Sequence, residues 1–90
     1  MPGLYVTLLD EDDEYIFEQA VYCEMVVQGG TYYDRRVTDS GGLVKFGLAG
    51  DIGVYIMGTT YENQYYCTTV YKASGQQFYT WKLDVPYNPE

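Results

Sequence analysis

Residues 4–9 alternate apolar and polar, with Leu4, Val6 and Leu8 on one side and Tyr5 and Thr7 on the other, the period of a strand with one buried face. The acidic run Asp10-Glu11-Asp12-Asp13-Glu14 ends it. Alternation resumes over residues 19–28, where Val21, Cys23, Met25 and Val27 share the expected core face and Tyr22 and Glu24 take the other. Gly29-Gly30 reads as a hairpin turn into an aromatic and charged strand at 31–38, because glycine accepts the positive φ of tight turns. Asp39-Ser40-Gly41-Gly42 turns into a strand at 43–48, and residues 49–53 loop into one at 54–60. Glu62-Asn63 turns into 64–72, and Ala73-Ser74-Gly75 into 77–85. In that last strand Tyr79, Trp81, Leu83 and Val85 oppose Phe78, Thr80, Lys82 and Asp84, and Pro86 and Pro89 mark a short tail.

About seven short strands at near-regular spacing, with no helical periodicity, predict one all-β domain over residues 1–90: a Greek-key β-sandwich. Ninety residues are enough for one core. Val54, Ile56, Val70 and Phe78 fall on the parity opposite a plausible core face, so apolar groups are left over outside.

Two topologies compete. Tyr65 stands two residues before Cys67, as in an immunoglobulin tyrosine corner, with Cys23 as the earlier partner. Trp81 follows both cysteines, which breaks the Cys…Trp…Cys order of that fold. The second topology rests on a first strand ending at Asp10, then Ile16 with Ala20-Val21, then Thr38-Asp39-x-Gly-Gly-x-Val44-x-Phe46-x-Leu48, then Gly53-Val54-Tyr55. This succession resembles the prealbumin-like domains: collagen-adhesin B-type repeats, carboxypeptidase regulatory domains and transthyretin-like modules. It covers roughly residues 4–72 and implies a prealbumin-like sandwich. These are folding residues, so the resemblance specifies architecture and not function. Adhesin repeats often join a first-strand Lys to a late Asn beside a buried acid. Here the Lys position falls at Leu8 or Leu9 and the acid near Met57 or Gly58, so Asn88 is expected to form no such bond. The loop 49–53 is one or two residues longer than the family's usual spacing.

Composition narrows the chemistry. Thirteen acidic against five basic residues give a formal charge of −8, which repels phosphate backbones and anionic lipid, so neither nucleic acid nor membrane is an expected partner. No apolar run approaches the roughly 20 residues of a membrane helix. A strand pattern begins at once, with no secretory leader, so the expected product either stays where it is made or has lost a signal. Localisation is otherwise open. The chain has no His, and its two cysteines lack CxxC spacing, so there is no transition-metal signature and no base for a nucleophile; no enzyme is expected.

Three groups remain as candidate sites. Asp10, Asp12 and Glu14 offer alternate oxygen ligands to Ca²⁺, the one cofactor the sequence suggests, although a charged turn in water reads the same way. Cys23 and Cys67 either bridge the core or remain free thiols. Tyr32, Tyr33, Arg35, Arg36, Tyr61, Tyr65 and Tyr66 put aromatic and basic groups on both strand faces, where a sandwich needs only one face apolar. Twelve tyrosines in all supply rigid, amphipathic surface suited to a protein interface or to sugar stacking.

The leading expectation is a non-enzymatic structural or accessory subunit of a surface assembly, such as a virion decoration or stabilising protein. It would act through a protein partner, with homo-oligomerisation open. The first alternative is a carbohydrate-binding or adhesion module stacking sugars on Tyr32, Tyr33, Tyr61 and Tyr66. The second is an acidic inhibitor that mimics a polyanion.

Overall fold

The computed structural model describes residues 3–47 and 52–88. Seven strands follow in chain order: β1 (Gly3–Leu9), β2 (Ala20–Val27), β3 (Gly30–Val37), β4 (Leu43–Phe46), β5 (Gly53–Tyr61), β6 (Gln64–Lys72) and β7 (Gln76–Lys82). They form a three-stranded sheet, β4-β1-β7, and a four-stranded sheet, β3-β2-β5-β6. β1 runs antiparallel to β4 and parallel to β7, while every pair in the larger sheet is antiparallel. The expected all-β sandwich is the observed architecture. Its strand order is not the immunoglobulin one, in which the second and sixth strands lie in different sheets; here β2 and β6 share a sheet, with β5 between them.

Each sheet turns one parity inward. Leu4, Val6 and Leu8 of β1, flanked by Phe46 and Val44 on β4 and by Tyr79 and Trp81 on β7, meet Val21, Cys23, Met25, Tyr55, Met57, Tyr66 and Val70 from the larger sheet. Ile16 and Leu83, whose amides donate to the Leu8 and Leu9 carbonyls, join this core at the C-terminal end of β1. Tyr55, Phe46, Leu4 and Leu8 are its largest fully buried side chains; each buried aliphatic side chain contributes about 1.5–3 kcal/mol.

The turns show why the aspartates and glycines stand where they do. Asp39 Oδ1 accepts the Gly41 and Leu43 amides at 2.9 and 3.0 Å, and Gly42 sits at φ +73° with its carbonyl taking the Leu8 amide at 2.8 Å. A Cβ on Gly42 would stand 3.0 Å from the Leu8 carbonyl oxygen, so the turn needs glycine both for its φ and for this close approach. The crossover from β1 to β2 is held by Gln19 and Thr38, whose backbones exchange a hydrogen bond while Thr38 Oγ1 accepts the Gln19 amide at 2.9 Å. Buried Thr59 donates to the Ala20 carbonyl at 2.6 Å and accepts Gln19 Nε2 at 2.8 Å.

Two side-chain placements differ from the pattern reading, and a third burial lies outside it. Val70 is buried, because the inner parity of β6 is Tyr66, Thr68, Val70 and Lys72. Val85 is exposed: β7 ends at Lys82, where the Asp84 amide turns back to the Lys82 carbonyl at 3.1 Å and Pro86 follows. Lys72 is buried, its ammonium donating to the carbonyls of Ala73, at 2.9 Å, and of Gly75 across the β6–β7 turn. Leu48, Pro89 and the loop segment 49–51 lie outside the described residues.

Candidate functional site

The outer face of the four-stranded sheet is built by simple alternation. With Val21, Cys23 and Met25 committed to the core, Tyr22, Glu24 and Val26 of β2 must point away from it. Registration then aligns three cross-strand rows: Arg35, Tyr22, Gly58 and Cys67; Tyr33, Glu24, Ile56 and Thr69; and Thr31, Val26, Val54 and Tyr71. Tyr33 and Tyr71 are 76 % and 77 % exposed, and Tyr22, Tyr65, Val26 and Val37 are exposed beside them. Among the described strand residues this face carries one cation, Arg35, and one anion, Glu24.

Gly58 shapes the middle of the face. A Cβ there would stand 2.2 Å from the Tyr65 hydroxyl, so the missing side chain lets the Tyr65 phenol lie across β5. Burial first, and then the adjacent Cys67 thiol, hold that phenol above its ordinary pKa. The far side of Tyr65 meets Tyr87 edge-on, ring centroids 5.9 Å apart, and the Tyr87 amide donates to the Tyr65 carbonyl at 2.7 Å. On the neighbouring strands Arg35 Nε donates to the Tyr22 hydroxyl at 3.3 Å, and its guanidinium carbon sits 5.8 Å from the Tyr22 ring centroid. Between these rings lies a depression of about 230 Å³, lined by Tyr22, Glu24, Tyr33, Ile56, Gly58 and Tyr65 among others. Chemically this is a platform of phenol rings and branched aliphatics, with hydroxyls and a single charge of each sign at its rows. It is suited to apolar and stacking contacts with orienting hydrogen bonds.

The seven tyrosines and arginines singled out by sequence do not form one site. Tyr33, Arg35 and Tyr65 share this face. Tyr32 and Arg36 lie on the inner parity of β3 and reach water because four strands face three, leaving the edge strand overhanging; Arg36 Nε pairs with Asp34 at 2.8 Å. Tyr66 is core, and Tyr61 is half-buried against it beside the acidic loop. The sugar platform of Tyr32, Tyr33, Tyr61 and Tyr66 is therefore not assembled. Tyr22 and Tyr71 were missed as members of the face. Tyr22 had the right signal, sitting out of phase with Val21 and Cys23, whereas Tyr71 follows Val70 in a strand whose two parities look alike.

Asp10, Asp12 and Glu14 form a closed turn. Asp10 Oδ1 accepts the Asp12 and Glu14 amides at 2.8 and 2.9 Å, and Asp13, at φ +64°, pairs its carboxylate with Lys82 at 3.2 Å. The Asp10 carboxylate is thus a turn-closing acceptor, and among the described residues no three metal-capable side chains converge. An acidic groove of about 280 Å³ runs from this turn past Tyr61, Glu62 and Gln64. Cys23 and Cys67 are free thiols on opposite faces of one sheet, with β5 between them, so the core bridge is not formed. Burial, then Asp34 and Glu24, push the Cys23 thiol up to about 12, far from the range of a reactive thiolate. Comparison with protein-family models and with curated proteins finds no match for this chain.

Proposed function

We propose that this chain is a non-enzymatic structural or accessory subunit of a surface assembly, such as a virion decoration or stabilising protein, and that it docks through the outer face of β3-β2-β5-β6. The observation that carries this reading is the row arrangement of Tyr22, Tyr33, Tyr65 and Tyr71 around Val26, Val54 and Ile56. A sandwich has no folding need for apolar groups on that side, and a contiguous exposed apolar face marks a contact surface. The acids gather instead at the 10–14 turn, Glu62 and Asp84, where they keep the far end hydrated. The sandwich itself is read as prealbumin-like. Two observations support that reading: Asp39 closes the turn that leads into β4, and the strand order departs from the immunoglobulin one.

Co-sedimentation with intact capsids, pili or filaments tests the docking. The wild-type chain is expected to pellet with one of them, and the Tyr33→Ser/Tyr71→Ser variant, unchanged in thermal stability, is expected to remain in solution. Failure of the wild type to bind any of them contradicts the proposal. Carbohydrate binding is the second reading, favoured by the Tyr-lined depression over Gly58 with Glu24 at its wall. On a glycan array it requires saturable sugar binding that Tyr33→Ser abolishes.

A further inference from the structure

The two sheets have four edge strands, and three of them are short or blocked. β4 has four residues. On β3 the Asp34 carboxylate takes the outward amide of Arg35 at 2.8 Å and pairs with Arg36, a charged plug on the edge. β6 is clipped near both ends. The two-residue turn Glu62-Asn63, at φ +49° and +65°, makes Tyr61 and Gln64 a hydrogen-bonded pair, so Tyr65, Cys67, Thr69 and Tyr71 turn their backbone groups outward. Of these the Tyr65 carbonyl is met by the Tyr87 amide, and the Tyr71 carbonyl by Gln77 Nε2 at 3.2 Å, while Gln77 Oε1 accepts the Ala73 amide.

β7 is different. The Leu83 amide donates to the Leu9 carbonyl at 2.8 Å, which fixes the phase of the parallel ladder: Gln77, Tyr79 and Trp81 bond β1, and Gln76, Phe78 and Thr80 direct their amides and carbonyls outward. Among the described residues no group meets them. Residues 76–81 carry no charge, and Phe78 is 69 % exposed. This is the long, uncharged edge that natural sheets ordinarily protect.

We propose that β7 pairs antiparallel with β7 of a second copy, centred on Phe78, joining two three-stranded sheets into one of six strands. The proposal stands apart from the docking face, which lies on the other sheet. A second copy fits this edge for two reasons. First, the register is self-complementary. Phe78 stacks on Tyr5 with centroids 5.2 Å apart, and Lys45 Nζ lies 5.6 Å from the Tyr5 centroid, so a row of cation and two rings ends abruptly at the edge. Pairing Phe78 with its own copy continues that row through two more rings to a second lysine, while Gln76 falls opposite Thr80. Second, the charge pattern favours antiparallel copies. Each chain carries −8, yet the 10–14 turn and Asp84 stand at the Lys82 end of β7, so a two-fold about Phe78 sends the two acidic ends apart. Strand pairing covers less surface than a standard interface, so the dimer forms in the micromolar range.

Analytical ultracentrifugation across that range, with amide exchange read by NMR, tests the proposal. The wild type is expected to dimerise with the Phe78 and Thr80 amides protected. Thr80→Pro, which removes an outward amide and no ladder bond, is expected to be monomeric. Phe78→Lys is expected to dimerise about tenfold more weakly through loss of the ring pair, and it reads the interface independently if the proline variant does not fold. Tyr33→Ser/Tyr71→Ser is expected to dimerise as the wild type does. A wild-type chain that stays monomeric, a dimer indifferent to both β7 substitutions, or one dissolved by the Tyr33 and Tyr71 changes overturns the inference.

Discussion

Cys23 and Cys67 show how much a single position in the alternation decides. Cys23 packs in the core opposite Met57, while Cys67 faces water opposite Gly58, on the far side of β5 in the same sheet. A thiol reagent is expected to label Cys67 at once and Cys23 only on unfolding. Cys67→Ala should leave stability within about 0.5 kcal/mol, whereas Cys23→Ala should cost about 1–3 kcal/mol through the cavity it leaves. The Cys23 pKa adds a pH signature. Its ordinary value is 9.0 and the folded value is about 12, so below pH 9 the thiol is protonated in both states. Above pH 9 the unfolded chain releases a proton that the fold retains, and stability falls as pH rises towards 12. Tyr61 and Tyr65, also raised by burial, add to that fall in both chains. The stability gap between wild type and Cys23→Ala, measured by denaturant melts, is therefore expected to narrow from pH 9 upward.

At the scale of elements, what was legible in the sequence was whatever physical chemistry writes locally. Strict alternation placed β1 and β2 with the correct faces, and Asp39 with Gly42 announced a turn because an Asx acceptor and a left-handed glycine are local requirements. β6 was not legible in its faces: Tyr65 and Tyr66, Cys67 and Thr68, Thr69 and Val70 offer similar residues to both sides. Its inner parity also ends in Lys72, whose burial depends on the Ala73 and Gly75 carbonyls that fold back over it. The candidate site suffered for the same reason, since membership of the outer face follows from cross-strand register, a long-range property. In the acidic turn one carboxylate has a structural task that the sequence pattern does not announce. Asp10 closes the loop with two amides, so Asp10→Ala is expected to lower stability by about 1 kcal/mol. Glu11→Ala, which removes a surface charge from the same turn, should leave it unchanged or slightly raised. Thermal melts at neutral pH, with and without added Ca²⁺, measure both; a Ca²⁺-dependent rise in the wild type alone would restore the metal reading.

At the scale of the whole molecule, the surface divides by chemistry. The acidic turns gather at one end, the uncharged β7 edge belongs to the smaller sheet, and the tyrosine rows belong to the larger. Docking through the larger sheet requires that the tyrosine rows be covered when the chain is at work. Radical footprinting of tyrosine in the free chain and in the particle or filament that retains it measures this most directly. The account predicts that Tyr22, Tyr33, Tyr65 and Tyr71 lose most of their labelling on assembly while exposed Tyr15 keeps it. Equal labelling of those four rings in both states would contradict it.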